Sequence, residues 1–155
     1  TWPMYPRVLQ QRRDLGRALA FTPVVETLEQ FDHLGAKLDR MRREGVRAVK
    51  FDDPEFFSDR RREVASAFAA RRLAAISNEP AYTKAGLLLT FGWDAEDIAN
   101  RSAAYVDRIL RGARPHDLPV EQAARFKLGV NRATARAIGI QLPSAVLARA
   151  DELVG

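Results

Sequence analysis

Cysteine is missing from all 155 positions. That removes disulfides, thiolate nucleophiles and cysteine-bound metals together, and it suits a chain working in an oxidising compartment. Histidine is nearly missing as well: His33 and His116 are the two present. Neither has a second histidine with Glu, Asp or Cys at metal-ligand spacing, so no metal site is expected. No GxSxG elbow, GxxxxGKS/T loop or GxGxxG loop occurs, which excludes a nucleophile elbow and Gly-rich phosphate cradles. No apolar run approaches the roughly 20 residues of a membrane helix. Thr1 is not an initiator Met, and Trp2-Pro3-Met4-Tyr5-Pro6 has neither the charged nor the apolar region of a signal peptide; the expectation is that an upstream segment was removed.

What is present suits one ordinary core: 46% of the residues are apolar, in a chain of single-domain length. Basic residues exceed acidic ones by 25 to 20. Arginine makes up 21 of the 25 and is spread along the whole chain, which favours anionic surroundings in general rather than a nucleic-acid footprint.

Periodicity orders the elements. Val8, Leu15, Ala18 and Leu19 predict an amphipathic helix over 7–20, and Val24–Leu28 a short β-branched strand. Asp32 opens a helix with Leu34, Leu38 and Met41 inward, ending at Gly45, and a strand follows over 46–51. Asp52-Asp53-Pro54-Glu55 is a helix start, because Asp accepts first-turn amides and Pro tolerates the first helical position; that helix should reach about Arg72. A strand over 73–77, a turn at Asn78-Glu79-Pro80, a helix over 81–85 and a strand over 87–91 complete three strand–helix alternations. The fold class expected is therefore α/β, a three-layer parallel sheet with helices on both faces. Beyond Gly92, Asp94 caps a helix with Ile98, Ala103, Val106, Ile109 and Leu110 inward. Alternation over Phe126, Leu128 and Val130 gives a last strand, Asn131 caps a helix ending at Gly139, and Pro143-Ser144 opens a final helix through Leu153.

No catalytic constellation stands out. The carboxylate pairs Asp52-Asp53 and Glu96-Asp97 sit at helix starts, where capping explains the ionised form and general acid–base work is not needed. The runs Arg12-Arg13, Arg60-Arg61-Arg62 and Arg71-Arg72 lie on helices whose adjacent residues diverge, so they read as solvated faces. Aromatics at strand ends are more telling. Trp2, Phe56 and Phe57 beyond Asp53, Tyr82 beyond Asn78, and Trp93 beyond Gly92 would gather outside the carboxyl ends of the strands, where open α/β sheets bind ligands. Each can also serve packing; their convergence on one rim is the argument.

The run Gly86-Leu87-Leu88-Leu89-Thr90-Phe91-Gly92, then Ala104 to Pro115, Asp117 to Gln122, Phe126-Lys127-Leu128-Gly129-Val130-Asn131, Ala135 to Gly139 and the closing Leu147 to Glu152 resembles the C-terminal part of ABC-transporter substrate-binding proteins of the type I periplasmic-binding fold. The likeness spans essentially the whole chain, and its motifs are specific as an ordered set. It implies a bilobed, non-enzymatic, periplasmic or extracytoplasmic receptor that captures a small solute, such as an amino acid, between two α/β lobes and delivers it to an ABC permease. It implies no cofactor and no nucleic-acid partner. By position, Pro3, Asp53, Asn78 and Gly92 fall on turns lining the cleft in such proteins, giving an expected ligand-binding set of Trp2, Pro3, Asp53, Phe56, Asn78, Tyr82, Gly92 and Trp93.

Two positions depart from the family: Ser77 where an aromatic is common, and Trp93 where Pro is common. Whole members also carry an N-terminal lobe and a first strand ahead of Trp2. The chain is thus expected to be one α/β domain, the second lobe. Its helix over 94–112 would belong beside the absent lobe, with an apolar face to be covered by that lobe or by a second copy in a homodimer. Two other readings compete: an extracytoplasmic sensing domain of a signalling protein, which a transmembrane helix after Gly155 would favour, and a basic nucleic-acid binder, which would show salt-dependent binding.

Overall fold

The computed structural model describes residues 5–28, 30–52 and 55–155. Two compact units are present, residues 1–34 and 35–155. In the first, helix α1 runs Tyr5–Ala18, and the chain turns back through Ala20, whose φ is 54°, closed by Phe21 N–H donating to the Gly16 carbonyl at 2.9 Å. The strand expected over Val24–Leu28 does not form among the described residues. Val24 and Val25 stay exposed, because β-branched side chains favour a strand only where a neighbour supplies the ladder. A 3₁₀ turn, Phe31–His33, follows.

The second unit is an α/β lobe. Its elements are α2 (Leu34–Arg43, of which Leu34 falls in the first unit), β1 (Ala48–Phe51), a 3₁₀ segment Glu55–Arg60, α3 (Arg61–Ala70), β2 (Ala74–Ser77), α4 (Ala81–Ala85), β3 (Leu89–Trp93), α5 (Ala95–Leu110), a 3₁₀ turn Pro115–Asp117, β4 (Phe126–Asn131), α6 (Arg132–Ile138), α7 (Ser144–Ala148) and β5 (Glu152–Val154). The helix expected from the Asp52-Asp53 start to Arg72 is therefore a 3₁₀ segment followed by a shorter α-helix.

The strands lie in the order β1-β2-β3-β4-β5. β1–β2, β2–β3 and β4–β5 are parallel, but β3–β4 is antiparallel, so the sheet expected to be parallel is mixed. The connection through α5 brings the chain back to the end of the sheet it left, and a strand entered from that end can only run the opposite way. The last helix also stops earlier than its sequence suggests. Asp151 exchanges two bonds with Leu128, its N–H donating to the Leu128 carbonyl at 2.9 Å and its carboxylate accepting from Leu128 N–H at 2.7 Å. That clamp starts β5 where the sequence reads as helix.

The core is aromatic. Phe51 packs against Phe57, Phe68 and Tyr82 with ring centroids 5.6–6.0 Å apart. Phe57, Tyr82, Val64 and Leu73 are all enclosed, each of the large side chains stabilising the fold by about 1.5–3 kcal/mol. Leu38 and Met41 are buried on α2 as their spacing predicts. A second cluster joins Leu88 to Ala135 and Ile138 of α6. Asn131 caps α6 as expected: its Oδ1 accepts from Thr134 N–H at 2.8 Å, while its Nδ2 donates to the Thr83 carbonyl at 3.0 Å. The cap thereby ties α6 to α4.

Candidate functional site

Register places the rim. Phe51, Ser77 and Thr90 lie side by side across β1, β2 and β3, so Asp52, Asn78 and Phe91 are the first residues beyond the level at which three strands run together. β3 continues past it. Phe91, Gly92 and Trp93 pair with Leu128, Lys127 and Phe126 of β4, making a two-stranded ribbon that rises above the carboxyl ends of β1 and β2. Gly92 and Trp93, expected on a turn, are strand residues, because β4 supplies them with an antiparallel partner.

Three of the residues singled out by sequence meet there: Asn78, Gly92 and Trp93. Gly92 lies so close to the Asn78 carbonyl that a Cβ at this position would overlap it, which fixes the β2 turn against the ribbon. The turn is braced by Glu79 N–H donating to Ser77 Oγ at 3.1 Å. Asn78 Oδ1 is shielded from solvent and has no hydrogen-bond partner among the described residues, an arrangement that is costly unless something fills it. On the ribbon, Phe91 and Phe126 stack at 5.5 Å and, with Trp93, remain 43–52% exposed.

Tyr82 does not join them. It is fully buried, edge-on to Phe51 with the Arg61 guanidinium 5.9 Å above its ring, so it supports the rim from beneath; the short α4 directs it inward. Phe57 is likewise core. Asp52 pairs with Lys50. Trp2, Pro3 and Asp53 lie outside the described residues, as does the side chain of Phe56.

Sequence reasoning missed Phe91, Phe126 and Lys127, whose cross-strand neighbours no local pattern reveals. Lys127 Nζ lies 3.0 Å from Asp94 Oδ1. That hydrogen bond, together with the Glu96 N–H that Asp94 accepts as the cap of α5, holds the Asp94 carboxyl below its ordinary range against the opposing effect of desolvation. The same contact with Asp94 pushes the Lys127 ammonium up. Asp94 N–H also donates to the Arg125 carbonyl at 3.0 Å, so the start of α5 is riveted to the start of β4. Farther along, Tyr105 Oη donates to the Pro119 carbonyl at 2.6 Å, and Arg101 bridges Asp97 and Glu121. The apolar stripe of α5, which the sequence leaves to be covered by a further lobe or a second copy, is open among the described residues: Ile98, Val106, Ile109 and Leu110 are exposed.

A pocket of about 330 Å³ lies between α4 and β3–β5, lined by Pro80, Lys84, Thr90, Lys127, Gly129, Asp151 and Glu152. Lys84 and Glu152 are ion-paired at 3.0 Å. Among the described residues no group of three or more His, Asp or Glu side chains is placed to hold a metal, and no helix is long and apolar enough to cross a membrane.

The family model for ABC transporter substrate binding proteins matches residues 39–154. The chain belongs to that family. No curated protein matches it. Among solved structures it is similar to a conserved domain protein from Vibrio cholerae O1 biovar eltor, with TM-score 0.79, 21% identity and 96% of this chain covered against 50% of that one. It is also similar to an ABC domain in complex with L-Trp from Streptococcus pneumonia, with TM-score 0.80, 18% identity and coverage of 97% and 50%. A third likeness is to the ligand-free, open structure of a substrate binding protein with adhesive properties from Clostridium difficile, with TM-score 0.68, 16% identity and coverage of 99% and 51%. At these identities the likeness is one of fold, and the chain spans about half the length of the structures it matches. ABC substrate-binding proteins capture small solutes and are typically extracytoplasmic.

Proposed function

We propose that the chain is the second lobe of a non-enzymatic, extracytoplasmic solute receptor that feeds an ABC permease, and that its solute is a small molecule of the amino-acid class. One observation carries the reading: the shielded Asn78 Oδ1, without a hydrogen-bond partner among the described residues, stands on the same sheet rim as the half-exposed Trp93, Phe91 and Phe126. A small-molecule site needs apolar walls and a few placed polar groups, and an amide oxygen is an acceptor suited to an ammonium or N–H donor. The L-Trp in the Streptococcus pneumonia structure supports the amino-acid class. Trp2, Pro3, Asp53 and Phe56 are proposed to complete the cleft on this lobe. A first lobe closes it from the other side and covers the apolar stripe of α5, a role that a second copy takes in a homodimer where that lobe is missing.

The test is calorimetric titration of the native protein with the twenty amino acids, repeated with Trp93→Ala and Asn78→Ala. At least one amino acid should bind, and each substitution should weaken it about tenfold, as expected for an aromatic contact or a buried hydrogen bond. No heat with any amino acid, or binding indifferent to both substitutions, rejects the reading.

A further inference from the structure

Arginines that are dispersed in sequence are gathered by the fold. The pole of the sheet opposite the rim, where β1 and β2 begin, receives the end of α2 and the end of α3. Arg40, Arg42, Arg43, Arg47, Arg71 and Arg72 lie on the helix ends and turns at this pole, with two carboxylates, Asp39 and Glu44. The contacts fix their proximity. Arg42 donates to the Arg71 carbonyl, and Ala74 N–H donates to the Arg47 carbonyl at 3.1 Å. Arg71 is structural: it grips Asp39 with two bonds, at 2.7 and 3.1 Å, and donates to the Ala67 carbonyl at 3.1 Å. Arg42, Arg47 and Arg72 are exposed and have no carboxylate partner among the described residues.

Arg72 adds an independent observation. In this unit α2, α4, α5 and α6 each end on a glycine at positive φ: Gly45, Gly86, Gly112 and Gly139. The end of α3 adopts the same conformation with Arg72, at φ 50°, although a side chain is disfavoured there. Keeping an arginine at a glycine's position is strain of the kind that points to a role for the side chain itself.

We infer that this pole is a docking surface for an anionic lipid bilayer, with the guanidinium groups of Arg42, Arg47 and Arg72 binding headgroup phosphates. Guanidinium is the side chain best shaped to grip phosphate oxygens in pairs. Residues 39–50 and 69–74 contain no aromatic, so the pole lacks the stacking platform of single-stranded nucleic-acid sites. The pole also faces away from the rim, which leaves the proposed cleft open while the lobe rests on a membrane.

The experiment is co-sedimentation of the protein with phosphatidylcholine vesicles, with and without phosphatidylglycerol, at low and high salt. A duplex DNA oligonucleotide serves as competitor, and free inorganic phosphate as a control for the headgroup chemistry alone. Binding should require phosphatidylglycerol and fade with salt. The combined R42Q, R47Q and R72Q variant should bind about a hundredfold more weakly, since each basic residue at an anionic surface is worth about fivefold in partitioning. Arg72→Gly alone should bind more weakly while unfolding at a higher temperature, because glycine relieves the left-handed backbone. Solute titration should be unchanged in all of these variants, which separates this inference from the proposed receptor function. Equal binding to both vesicle types, full retention by the triple variant, displacement by DNA at stoichiometric concentration, or release by millimolar phosphate would overturn the inference.

Discussion

Replacing Gly92 with alanine probes the closest approach in the rim. The position has no positive φ, so a side chain is not excluded by backbone conformation. The whole cost comes from the Asn78 carbonyl, which a Cβ would overlap, with Pro80 Cδ a further neighbour at 3.4 Å. A backbone oxygen cannot swing away as a flexible side chain can, so β2 and β3 must separate or the Asn78 turn must shift. Overpacking of this kind costs about 2–3 kcal/mol, and for a chain of this size that lowers the unfolding midpoint by roughly 4–12 °C. Gly112→Ala is the control, since no described residue lies within 4 Å of its Cβ position but its φ is +101°; its cost is conformational alone, about 1 kcal/mol. Urea titration of both variants, with slopes compared to confirm an unchanged unfolding reaction, measures the difference. If Gly92→Ala were as stable as the parent within about 0.5 kcal/mol, the contact between β3 and the Asn78 turn would not exist as described. Displacement of Asn78 should also weaken any solute that uses its Oδ1.

The Asp94–Lys127 pair should leave a pH signature. The folded carboxyl lies below its unfolded value near 3.8, so its contribution is complete above that value and is lost as pH falls through the lower folded value. Lys127 is raised above 10.5, so its contribution is complete below that and lost as pH rises through the higher folded value. Thermal melts of the parent and of Lys127→Met should therefore differ most near neutrality and draw together as pH falls below the ordinary carboxylate range; a gap that stays constant into acid refutes the pairing. The stripe of Val106, Ile109 and Leu110, 41–81% exposed, should drive association of this chain on its own, seen as a dimer by light scattering. Val106→Lys with Leu110→Lys should return a monomer, and a parent already monomeric would count against the need for a covering partner.

The sequence by itself determined the elements whose signals are local. Apolar spacing set the inward face of α2 and the helical stretch of α5. Asp94 and Asn131 capped the helices that follow them, because a side-chain oxygen three residues or fewer from free amides needs no distant partner. The ordered motifs from Gly86 to Glu152 were enough to name the family. What depended on long-range pairing was not legible. Val24–Leu28 has the composition of a strand but finds no ladder among the described residues, whereas Glu152 and Leu153 read as helix yet become strand once Asp151 is clamped to Leu128. Gly92 and Trp93 left the turn for the ribbon because β4 came back antiparallel. Tyr82 went to the core because α4 aims it at Phe51. The fold also gathered arginines from two helix ends, some 25 residues apart in sequence, onto one pole. Caps and periodicity are short-range physics written into neighbouring residues, whereas strand partnership, rim membership and charge clustering are relations between segments that only the folded chain brings together.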